Sequence, residues 1–469
     1  MTNRLLIEIA RPFVRAFSKR CEKDNRYVIE AALHKYVDKN EKLCFSCNLK
    51  SKILNPFISR TASSMGISDK NLEWALKNKY IRDAVACAVE GVGDFGFLEP
   101  AVCLYLMVWN FTKLCNFKCP HCYENAGAAH PNELSIDEKY MVVDQFVEAR
   151  GRHIAISGGE PTIHPDFKDV VKYIKSKNLL VSVASNGSRF CDERFTKEIA
   201  PYLTFVQLSL DSPFAEKHDE FRNFPGSFEM VRKAARNLNE YGVNVAYAYF
   251  VSKSSLPDIP GMIELAKIDG VDLVLYDYKC VGRARDMVSE DPTPKEREKL
   301  YDYLCSFVKG KQKKEKPMVY VIHPRYGVKT IEHDVPQFQA SHFTPYEIPE
   351  GFGKAKMIGS FIGGCGAGTK KIDLEPDGTL IVCVNMPIPL GNVRETTIKE
   401  VWKSSPTLWK LRDRNNLKGT CRECEYVKSC GGCRAEAFGY TGDYLESDPS
   451  CILVNPSGNY KNLEKTLFE

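Results

Sequence analysis

The sequence predicts an α/β fold with a parallel sheet and outer helices. One observation supports this fold, and a second indicates that the protein binds metal. Between residues 101 and 279, short apolar segments rich in β-branched and aromatic residues alternate with amphipathic segments of helical period. Such alternation is typical of parallel sheets, in which a helix returns the chain to the starting edge of the sheet. The 18 cysteines are also unevenly spread, with three at 115–122 and seven at 365–451, which indicates metal binding.

The first hundred residues are predicted to be helical, on the strength of LLIEIARPFVRAF at 5–17 and NLEWALKNKYIRDAVACAV at 71–89. In the first of these, the apolar side chains from Leu6 to Phe17 fall on one face, and arginines fall on the opposite face. Such a helix could make a peripheral contact with an anionic membrane. The simpler interpretation is a surface helix that packs on its own protein.

Six segments are candidate strands, and two of the segments between them have clear helix signals. Ser135 and Ser227 are expected to cap the starts of these two helices, and Gly151 and Gly242 are expected to end them. In parallel sheets and barrels, the functional residues lie at the carboxyl ends of the strands. The candidate strands are AVCLYLMVWNF (101–111), HIAISGGEP (153–161), LLVSVASNG (179–187), TFVQLSLDS (204–212), VNVAYAYFV (243–251) and VDLVLYDYK (271–279).

The alternating pattern is lost after residue 310. KGKQKKEK at 309–316 is typical of a solvated linker, and the segment that follows it is rich in aromatic residues, proline and glycine. A long irregular segment of this kind is often a lid or binding loop. The expected units are therefore a helical domain at 1–98, an α/β domain at 99–309, a linker or lid at 310–360 and a cysteine-rich domain at 361–469.

Composition limits the class of protein and its location. The 65 basic and 60 acidic residues give a net charge of +5, which does not argue for nucleic-acid binding. No apolar run reaches 18 residues, and charges interrupt the apolar residues near the N-terminus, so neither a membrane span nor a secretory signal is expected. The predicted location is cytoplasmic, where disulfides are rare.

The string CNFKCPHC provides the strongest chemical signal in the chain. Cys115, Cys119 and Cys122 can supply three thiolates to a four-iron cube and leave its fourth iron without a protein ligand. An iron with an open position can bind and reduce a small molecule. The alternatives are a partial zinc site and a group of buried thiols, although zinc usually takes four ligands.

This cysteine spacing resembles the signature of the radical S-adenosylmethionine (SAM) enzymes, and the polar strand ends follow it in the same order. The resemblance implies a partial (β/α)6 TIM-like barrel in which the open iron binds SAM. It implies that the glycines of SGGEP let the backbone approach the ligand, and that Arg222 pairs with the SAM carboxylate unless it is an exposed surface residue. The expected SAM-binding residues are His121, Gly158, Gly159, Glu160, Ser185, Asn186, Ser209, Asp211 and Arg222.

The same resemblance implies a reaction and a partner. A reduced cluster would cleave SAM to methionine and a 5′-deoxyadenosyl radical, which abstracts a hydrogen atom from the substrate. The electron would come from an external donor of ferredoxin or flavodoxin type. The catalytic acid or base, if there is one, is not identified.

The seven downstream cysteines resemble the SPASM domain, which carries auxiliary four-iron clusters. The resemblance assigns Cys421, Cys424, Cys430 and Cys451 to an outer cluster, and Cys365, Cys383 and Cys433 to an inner cluster. The inner set has no obvious fourth ligand, which leaves an open iron, a distant residue such as His323 or Cys280, or the substrate itself. Two zinc sites of four ligands each are the alternative.

The C-terminal half looks most like the haem-biosynthesis branch of the family, through PLGNVRETTIKEVWKSS at 389–405 and the cysteine field at 418–451. It departs from that branch at Ile322-His323, where a cysteine is usual. The substrate is expected to be a tetrapyrrole or a peptide or protein side chain. The alternatives are a lipid or isoprenoid substrate and a non-catalytic metal-binding scaffold.

A separate cysteine pair lies in CFSC, at Cys44 and Cys47. The pair could bind a further metal together with Cys21. Reduced structural thiols are the simpler interpretation, because a lone C-x2-C is weak evidence for a metal.

Overall fold

A computed structural model describes residues 17, 19–23, 26–64, 66–96, 98, 100–310, 316–335, 337–338, 346–347 and 363–458. The N-terminal helix predicted from Leu6 lies outside the described residues except for Phe17, and with it the expected membrane contact. Most of the expected lid at 310–360 also lies outside them. Within the described ranges, no helix combines the length and the apolar character needed to cross a membrane.

The N-terminal region consists of a short hairpin and four helices with a hydrophobic core of their own. Ile29, Leu33, Leu54 and Leu76 are buried in this core. The segment at 71–89 forms two helices instead of one, because Asn78 ends the first and caps the second by accepting a hydrogen bond from the backbone N–H of Tyr80. The elements are β1 (Arg20–Cys21), β2 (Arg26–Tyr27), α1 (Val28–Val37), α2 (Phe45–Ser64), α3 (Asp69–Lys77) and α4 (Lys79–Phe95).

The centre of the molecule is a parallel sheet in which all six predicted strands form and pair in chain order, so the predicted fold class is confirmed. A further short strand, β9, adds to the sheet beside β8. The strands are β3 (Leu106–Thr112), β4 (His153–Gly158), β5 (Leu180–Ser185), β6 (Phe205–Ser209), β7 (Asn244–Val251), β8 (Asp272–Asp277) and β9 (Val319–Val321). The helices along this region are α5 (Ile136–Glu148), α6 (Phe167–Ser176), α7 (Glu193–Ile199), α8 (Ala215–Arg222), α9 (Ser227–Glu240), α10 (Ile259–Ile268), α11 (Pro294–Gly310) and α12 (Pro324–Glu332).

The cysteine-rich segment extends this same sheet. Its first strand pairs parallel with β3, with Asp373 opposite Val108, and two antiparallel strands follow it to the sheet edge. The sheet order is therefore β14-β13-β12-β3-β4-β5-β6-β7-β8-β9. The remaining described elements are the pair β10 (Gln337–Phe338) and β11 (Tyr346–Glu347), then β12 (Lys371–Leu374), β13 (Thr379–Cys383), β14 (Met386–Asn392), α13 (Ile398–Ser404), α14 (Pro406–Arg412), α15 (Gly419–Glu423) and α16 (Arg434–Thr441).

Residues 319–332, which fall inside the predicted linker, form β9 and α12 and are thus regular structure. A three-residue strand is too short to give a recognisable alternation, which is why the sequence pattern missed it. The boundaries between the four predicted units themselves stay predictions.

The predicted helix caps are confirmed at α5 and wrong at α9. Ser135 accepts a hydrogen bond from the backbone N–H of Glu138, and the side chain of Glu138 accepts one from the backbone of Ser135. At α9 the capping residue is Gly226, and Ser227 is the first helical residue. The carboxylate of Asp219 caps this helix instead, because it accepts hydrogen bonds from the backbone of Gly226 and the hydroxyl of Ser227.

Candidate functional site

A cavity of about 220 Å³ lies at the carboxyl ends of the parallel strands. It brings together residues as distant in the chain as Val108 and Asn385, because parallel strands end at the same edge of the sheet. Of the expected SAM-binding residues, only Glu160 is outside its lining. The predicted residues that line it are Cys115, Cys119, Cys122, His121, Gly158, Gly159, Ser185, Asn186, Ser209, Asp211 and Arg222.

The two glycines of SGGEP bring strand β4 against the loop that carries the three cysteines. The backbone N–H of Gly159 donates to the carbonyl of Thr112 at 2.7 Å. A Cβ on Gly159 would lie 2.2 Å from the carbonyl oxygen of Leu114, and a Cβ on Gly158, whose φ is +110°, would lie 2.6 Å from that of Thr112. The glycines are therefore required by contact with the cysteine loop, whereas the sequence suggested only close approach to a ligand.

Glu160 is fully buried beneath the cavity and fixes the next strand end. Its carboxylate accepts hydrogen bonds from the backbone N–H of Asn186 at 2.6 Å and from the hydroxyl of Ser185 at 2.8 Å. Burial raises the pKa of Glu160, although these donors and those of Thr162 oppose the rise. The side chain of Glu160 therefore positions the end of β5, and the expected contact of its backbone with SAM stays a prediction.

His121 packs against two aromatic rings at the cavity wall. Its ring centroid is 4.6 Å from that of Phe221 and 4.7 Å from that of Phe250, with interplanar angles of 10° and 27°. Burial lowers the pKa of His121 to about 3, so the ring is neutral at physiological pH. Its Nδ1 atom is buried without a hydrogen-bond partner. A neutral, flat side chain with an unused polar atom is suited to contact a planar heterocycle such as adenine.

Arg222 connects an acidic strand end to one of the cysteines. Its Nε donates to the Oδ2 of Asp211 at 2.5 Å, and its Nη1 donates to the Sγ of Cys119 at 3.5 Å. Burial alone would raise the pKa of Asp211, but the guanidinium lowers it below its usual value. The surface interpretation of Arg222 is wrong, since the residue is only 8% exposed. Its guanidinium group therefore hydrogen-bonds both to the carboxylate of Asp211 and to the sulfur of Cys119.

The small polar residues at the other strand ends are held in fixed positions. The side chain of Asn186 donates to the Oδ1 of Asn116 at 2.8 Å and accepts from the backbone of Ser188 at 3.0 Å. The hydroxyl of Ser185 accepts from the backbone of Gly187 at 3.0 Å. Ser209, at the end of β6, lines the cavity directly.

The three cysteines fit an iron–sulfur cluster better than a single zinc ion. Burial raises the pKa of Cys115 to about 12, and burial also raises the pKa of Cys119 in spite of Arg222. Such thiolates need a cation beside them, which cluster irons supply. Ligands of one tetrahedral ion must lie close together, and in the described chain these three sulfurs are not within 4.8 Å of one another.

A larger cavity, of about 490 Å³, opens beside the first one. The two share Tyr123 and Val281 in their linings. Its polar groups include Lys113, Arg285 and a pair of carboxylates, Glu124 and Glu375, while prolines and Ile381 provide apolar surface. Because these cations and carboxylates converge on an apolar wall, the cavity has the character of a substrate site.

The carboxylate pair in this second cavity retains a proton near neutral pH. The side-chain amide of Asn110 donates to Glu124 at 2.6 Å and to Glu375 at 3.4 Å. Burial and the charge of Glu375 raise the pKa of Glu124 to about 8, and burial raises the pKa of Glu375 as well. The pair can therefore give or take a proton at physiological pH.

The seven downstream cysteines separate into the two sets that the SPASM resemblance implies. Cys421, Cys424, Cys430 and Cys451 line one small cavity, and Cys365, Cys383 and Cys433 line another. No three of these sulfurs lie within 4.8 Å of one another among the described residues, so their spacing also favours clusters over single zinc ions. Lys279 and Asn385 line both the inner cysteine cavity and the first cavity.

His323 is one of the two residues suggested as a fourth ligand for the inner set, but both of its ring nitrogens already contact other groups. It lines the inner cavity. Its Nδ1 accepts from the backbone N–H of Arg325 at 3.2 Å, and its Nε2 lies 3.0 Å from the hydroxyl of Ser450. Cys280, the other suggestion, packs among Tyr278 and Tyr440 and is not part of this lining.

Several lining residues were missed by the sequence analysis. Gln207 and Tyr276 lie inside strands, hydrogen-bond to each other and face the cavity. A glutamine in the middle of an apolar strand is the signal that could have identified the first of them. Tyr123, whose hydroxyl donates to the Oδ1 of Asn110 at 2.9 Å, follows the third cysteine directly. Lys279 bonds to Glu436 at 2.9 Å across 157 residues, and no sequence pattern predicts such a contact.

Two family models match the chain in the regions that carry these features. The one described as the radical SAM superfamily matches residues 109–266, and the SPASM model, described as an iron–sulfur cluster-binding domain, matches residues 365–425.

Curated proteins and solved structures resemble the chain over most of its length. The AdoMet-dependent heme synthase of Methanosarcina barkeri is 30% identical over 348 residues, which cover 74% of this chain and 96% of that protein. The mycofactocin maturase MftC of Mycobacterium tuberculosis is 28% identical over 76% of this chain and 84% of its own. Streptococcus suis SuiB bound to S-adenosylmethionine superposes with a TM-score of 0.62 at 16% identity, covering 90% of this chain and 92% of SuiB.

Proposed function

Because this chain belongs to the radical SAM superfamily and carries a SPASM domain, we propose that it is an oxidoreductase that removes a hydrogen atom from a tetrapyrrole side chain. The cofactors of this family are a four-iron cluster and SAM, together with the auxiliary clusters of the SPASM domain. When bound, they supply the 5′-deoxyadenosyl radical and accept or deliver electrons. The observation that carries the substrate proposal is the 490 Å³ cavity that adjoins the cysteine-lined one.

We assign the residues that would hold the cofactors by their place in the structure. Cys115, Cys119 and Cys122 would ligate the first cluster, with Arg222 offsetting the negative charge of one thiolate. His121 would contact the adenine ring. The outer auxiliary cluster would take Cys421, Cys424, Cys430 and Cys451, and the inner one Cys365, Cys383 and Cys433.

The shape and charge of the larger cavity favour a flat, carboxylate-bearing substrate. The side chains of Pro387, Pro389 and Ile381 provide an apolar wall for a ring system. Lys113 and Arg285 supply cations for carboxylate arms. A volume of about 490 Å³ lies in the usual range for small-molecule sites. The heme synthase relative supports the same substrate class.

Three groups of this chain would serve the reaction besides the cofactor ligands. The Glu124–Glu375 pair would hold a proton at the substrate, because its carboxyl groups are buried together. Tyr123 would form the boundary between the two cavities. Lys279 and Asn385, which face both the inner cysteine set and the first cavity, would line the space between the radical and the inner cluster.

A peptide side chain is the second candidate substrate. The maturase MftC is similar over 76% of this chain. The helical N-terminal region, which has its own core and precedes both the 109–266 and the 365–425 matches, could bind such a partner.

The setting of the reaction follows from the same chemistry. We propose that a ferredoxin- or flavodoxin-type protein donates the electron. Described cysteines form no disulfide, which fits a reducing compartment, and we propose the cytoplasm.

The test is anaerobic reconstitution with iron and sulfide, followed by dithionite and SAM. We expect 5′-deoxyadenosine and methionine from the wild-type protein and none from Cys119→Ala. Addition of iron-coproporphyrin III should increase 5′-deoxyadenosine and change the mass of the tetrapyrrole. If SAM is cleaved but the tetrapyrrole keeps its mass, the substrate proposal is wrong. Absence of 5′-deoxyadenosine under all conditions would refute the radical chemistry itself.

A further inference from the structure

Three cysteines of the N-terminal region converge at a place that the radical chemistry does not use. Cys21 lies in strand β1, Cys44 directly precedes helix α2, and Cys47 lies in its first turn. Their three Sγ atoms all lie within 4.8 Å of one another, and those of Cys21 and Cys44 are 3.5 Å apart. Among the described residues, no other three histidine, cysteine or carboxylate donors come so close together.

The backbone at the start of α2 contacts this group of sulfurs. The backbone N–H of Cys47 donates to the Sγ of Cys44 at 3.4 Å, closing the C-x2-C turn around that sulfur. Cys44 is also at the N-terminus of α2, a helix of 20 residues. Cysteine binds metal ions through its sulfur as the thiolate.

The sulfur spacing identifies the kind of metal centre. Two thiolates bound at about 2.3 Å to one tetrahedral ion are about 3.8 Å apart. The observed separations, 3.5 Å for one pair and less than 4.8 Å for all, bracket this value. A disulfide would require about 2.05 Å. A four-iron cube places each thiolate on a different iron, which spreads the sulfurs, as in the Cys115–Cys122 set.

We propose that Cys21, Cys44 and Cys47 bind a single zinc ion, whose fourth ligand is not among the histidine, cysteine and carboxylate groups of the described residues. Three sulfur ligands select a soft divalent ion, and zinc takes thiolates in tetrahedral geometry. The ion ties the β1–β2 hairpin to the start of α2. Cys47 is 1% exposed and belongs to the core of the N-terminal region, so the ion stabilises that core. This site is independent of the proposed substrate.

The experiment uses the full chain with its iron–sulfur sites filled, so that zinc cannot occupy them. Wild type, Cys44→Ser and Cys191→Ser are reconstituted anaerobically, desalted and analysed for zinc and iron by mass spectrometry. Cys191 is a matched control because it is half-buried, belongs to none of the cysteine sets described above, and its Sγ donates to a backbone carbonyl that a serine hydroxyl can also reach.

We expect about one zinc per chain in wild type and Cys191→Ser, and about a tenfold loss of zinc in Cys44→Ser with unchanged iron. Zinc X-ray absorption of the wild-type protein should show about three sulfur atoms at about 2.3 Å, which tests the site even if Cys44→Ser does not fold. The proposal is overturned by zinc at trace level in wild type, by a zinc whose ligands are mainly nitrogen or oxygen instead of sulfur, by iron loss in Cys44→Ser, or by a Cys21–Cys44 disulfide.

Discussion

The ion pair between Arg222 and Asp211 should be among the most sensitive contacts in the barrel. The two side chains are 10% and 2% exposed, and Nε and Oδ2 are 2.5 Å apart. Arg222→Gln removes the charge but keeps part of the volume and a donor. It leaves Asp211 ionised and buried, with no cation against it.

The expected cost follows from this geometry. Two unit charges at this distance attract by roughly 7 kcal/mol at an effective dielectric constant of about 20, and desolvation offsets much of that gain. Removal of one partner of a buried pair costs about 3–5 kcal/mol, because the remaining charge is uncompensated. This is a large share of a folding free energy of about 5–15 kcal/mol. The double variant Asp211→Asn/Arg222→Gln should be more stable than the sum of the single variants predicts, by about 2 kcal/mol.

Urea unfolding of the cluster-free proteins, followed by circular dichroism, measures these free energies. Lys77→Gln is the control, because its ion pair with Glu73 is exposed at 61% and 45% and should contribute little. If Arg222→Gln lowers the unfolding midpoint no more than Lys77→Gln does, the electrostatic reasoning is refuted. Additive effects in the double variant would also refute it.

The same variant tests whether Arg222 acts on the cluster. Its Nη1 is 3.5 Å from the Sγ of Cys119. Loss of a cation and a hydrogen bond at a ligating sulfur should make the reduction potential more negative. An unchanged reduction potential in a redox titration would show that Arg222 does not act on the cluster.

Three further predictions use other parts of the site. Gly159→Ala should lose about four irons per chain, because its Cβ would meet a carbonyl oxygen at 2.2 Å, whereas Gly127→Ala, which has open space, should keep them; equal iron contents would contradict this. His121→Ala should weaken SAM binding by about fivefold in calorimetry, and His121→Phe should restore it, because stacking is worth about 1 kcal/mol. The pKa of Glu124 is raised to about 8. The stability that its protonated form gives is therefore fully present below the ordinary pKa of a glutamate, and it is lost as pH rises through about 8. Glu124→Gln should therefore flatten the fall in melting temperature between about pH 5 and 8, while the exposed Asp137→Asn should keep the wild-type slope.

The sequence predicted the functional centre well where chemistry depends on residue type and local spacing. The C-x3-C-x2-C motif and the polar strand ends identified a radical SAM site, because parallel strands bring their carboxyl ends to one edge. The division of seven cysteines into sets of four and three also came from the sequence, through its resemblance to SPASM domains. These features are encoded in short segments.

Predictions failed where a contact joined distant segments. No sequence pattern indicated that the carboxylate of Glu160 holds Ser185 and Asn186, which lie 25 and 26 residues further along the chain. Ser227 was expected to cap α9, but Asp219 from the preceding helix supplies the cap. The strand β9 is too short to show alternation, and it forms because β8 provides a partner.

By itself, the sequence determined the fold class, the cluster-binding motif and the order of the cofactor-binding segments, because each depends on periodicity or spacing along the chain. The tertiary structure decided which groups act together. It placed Arg222 between Asp211 and a cluster cysteine, brought Glu124 beside Glu375, and moved Cys21 to within reach of Cys44. Charge pairing, shared protons and metal coordination depend on distances of a few ångströms between side chains, and only the folded chain fixes those distances.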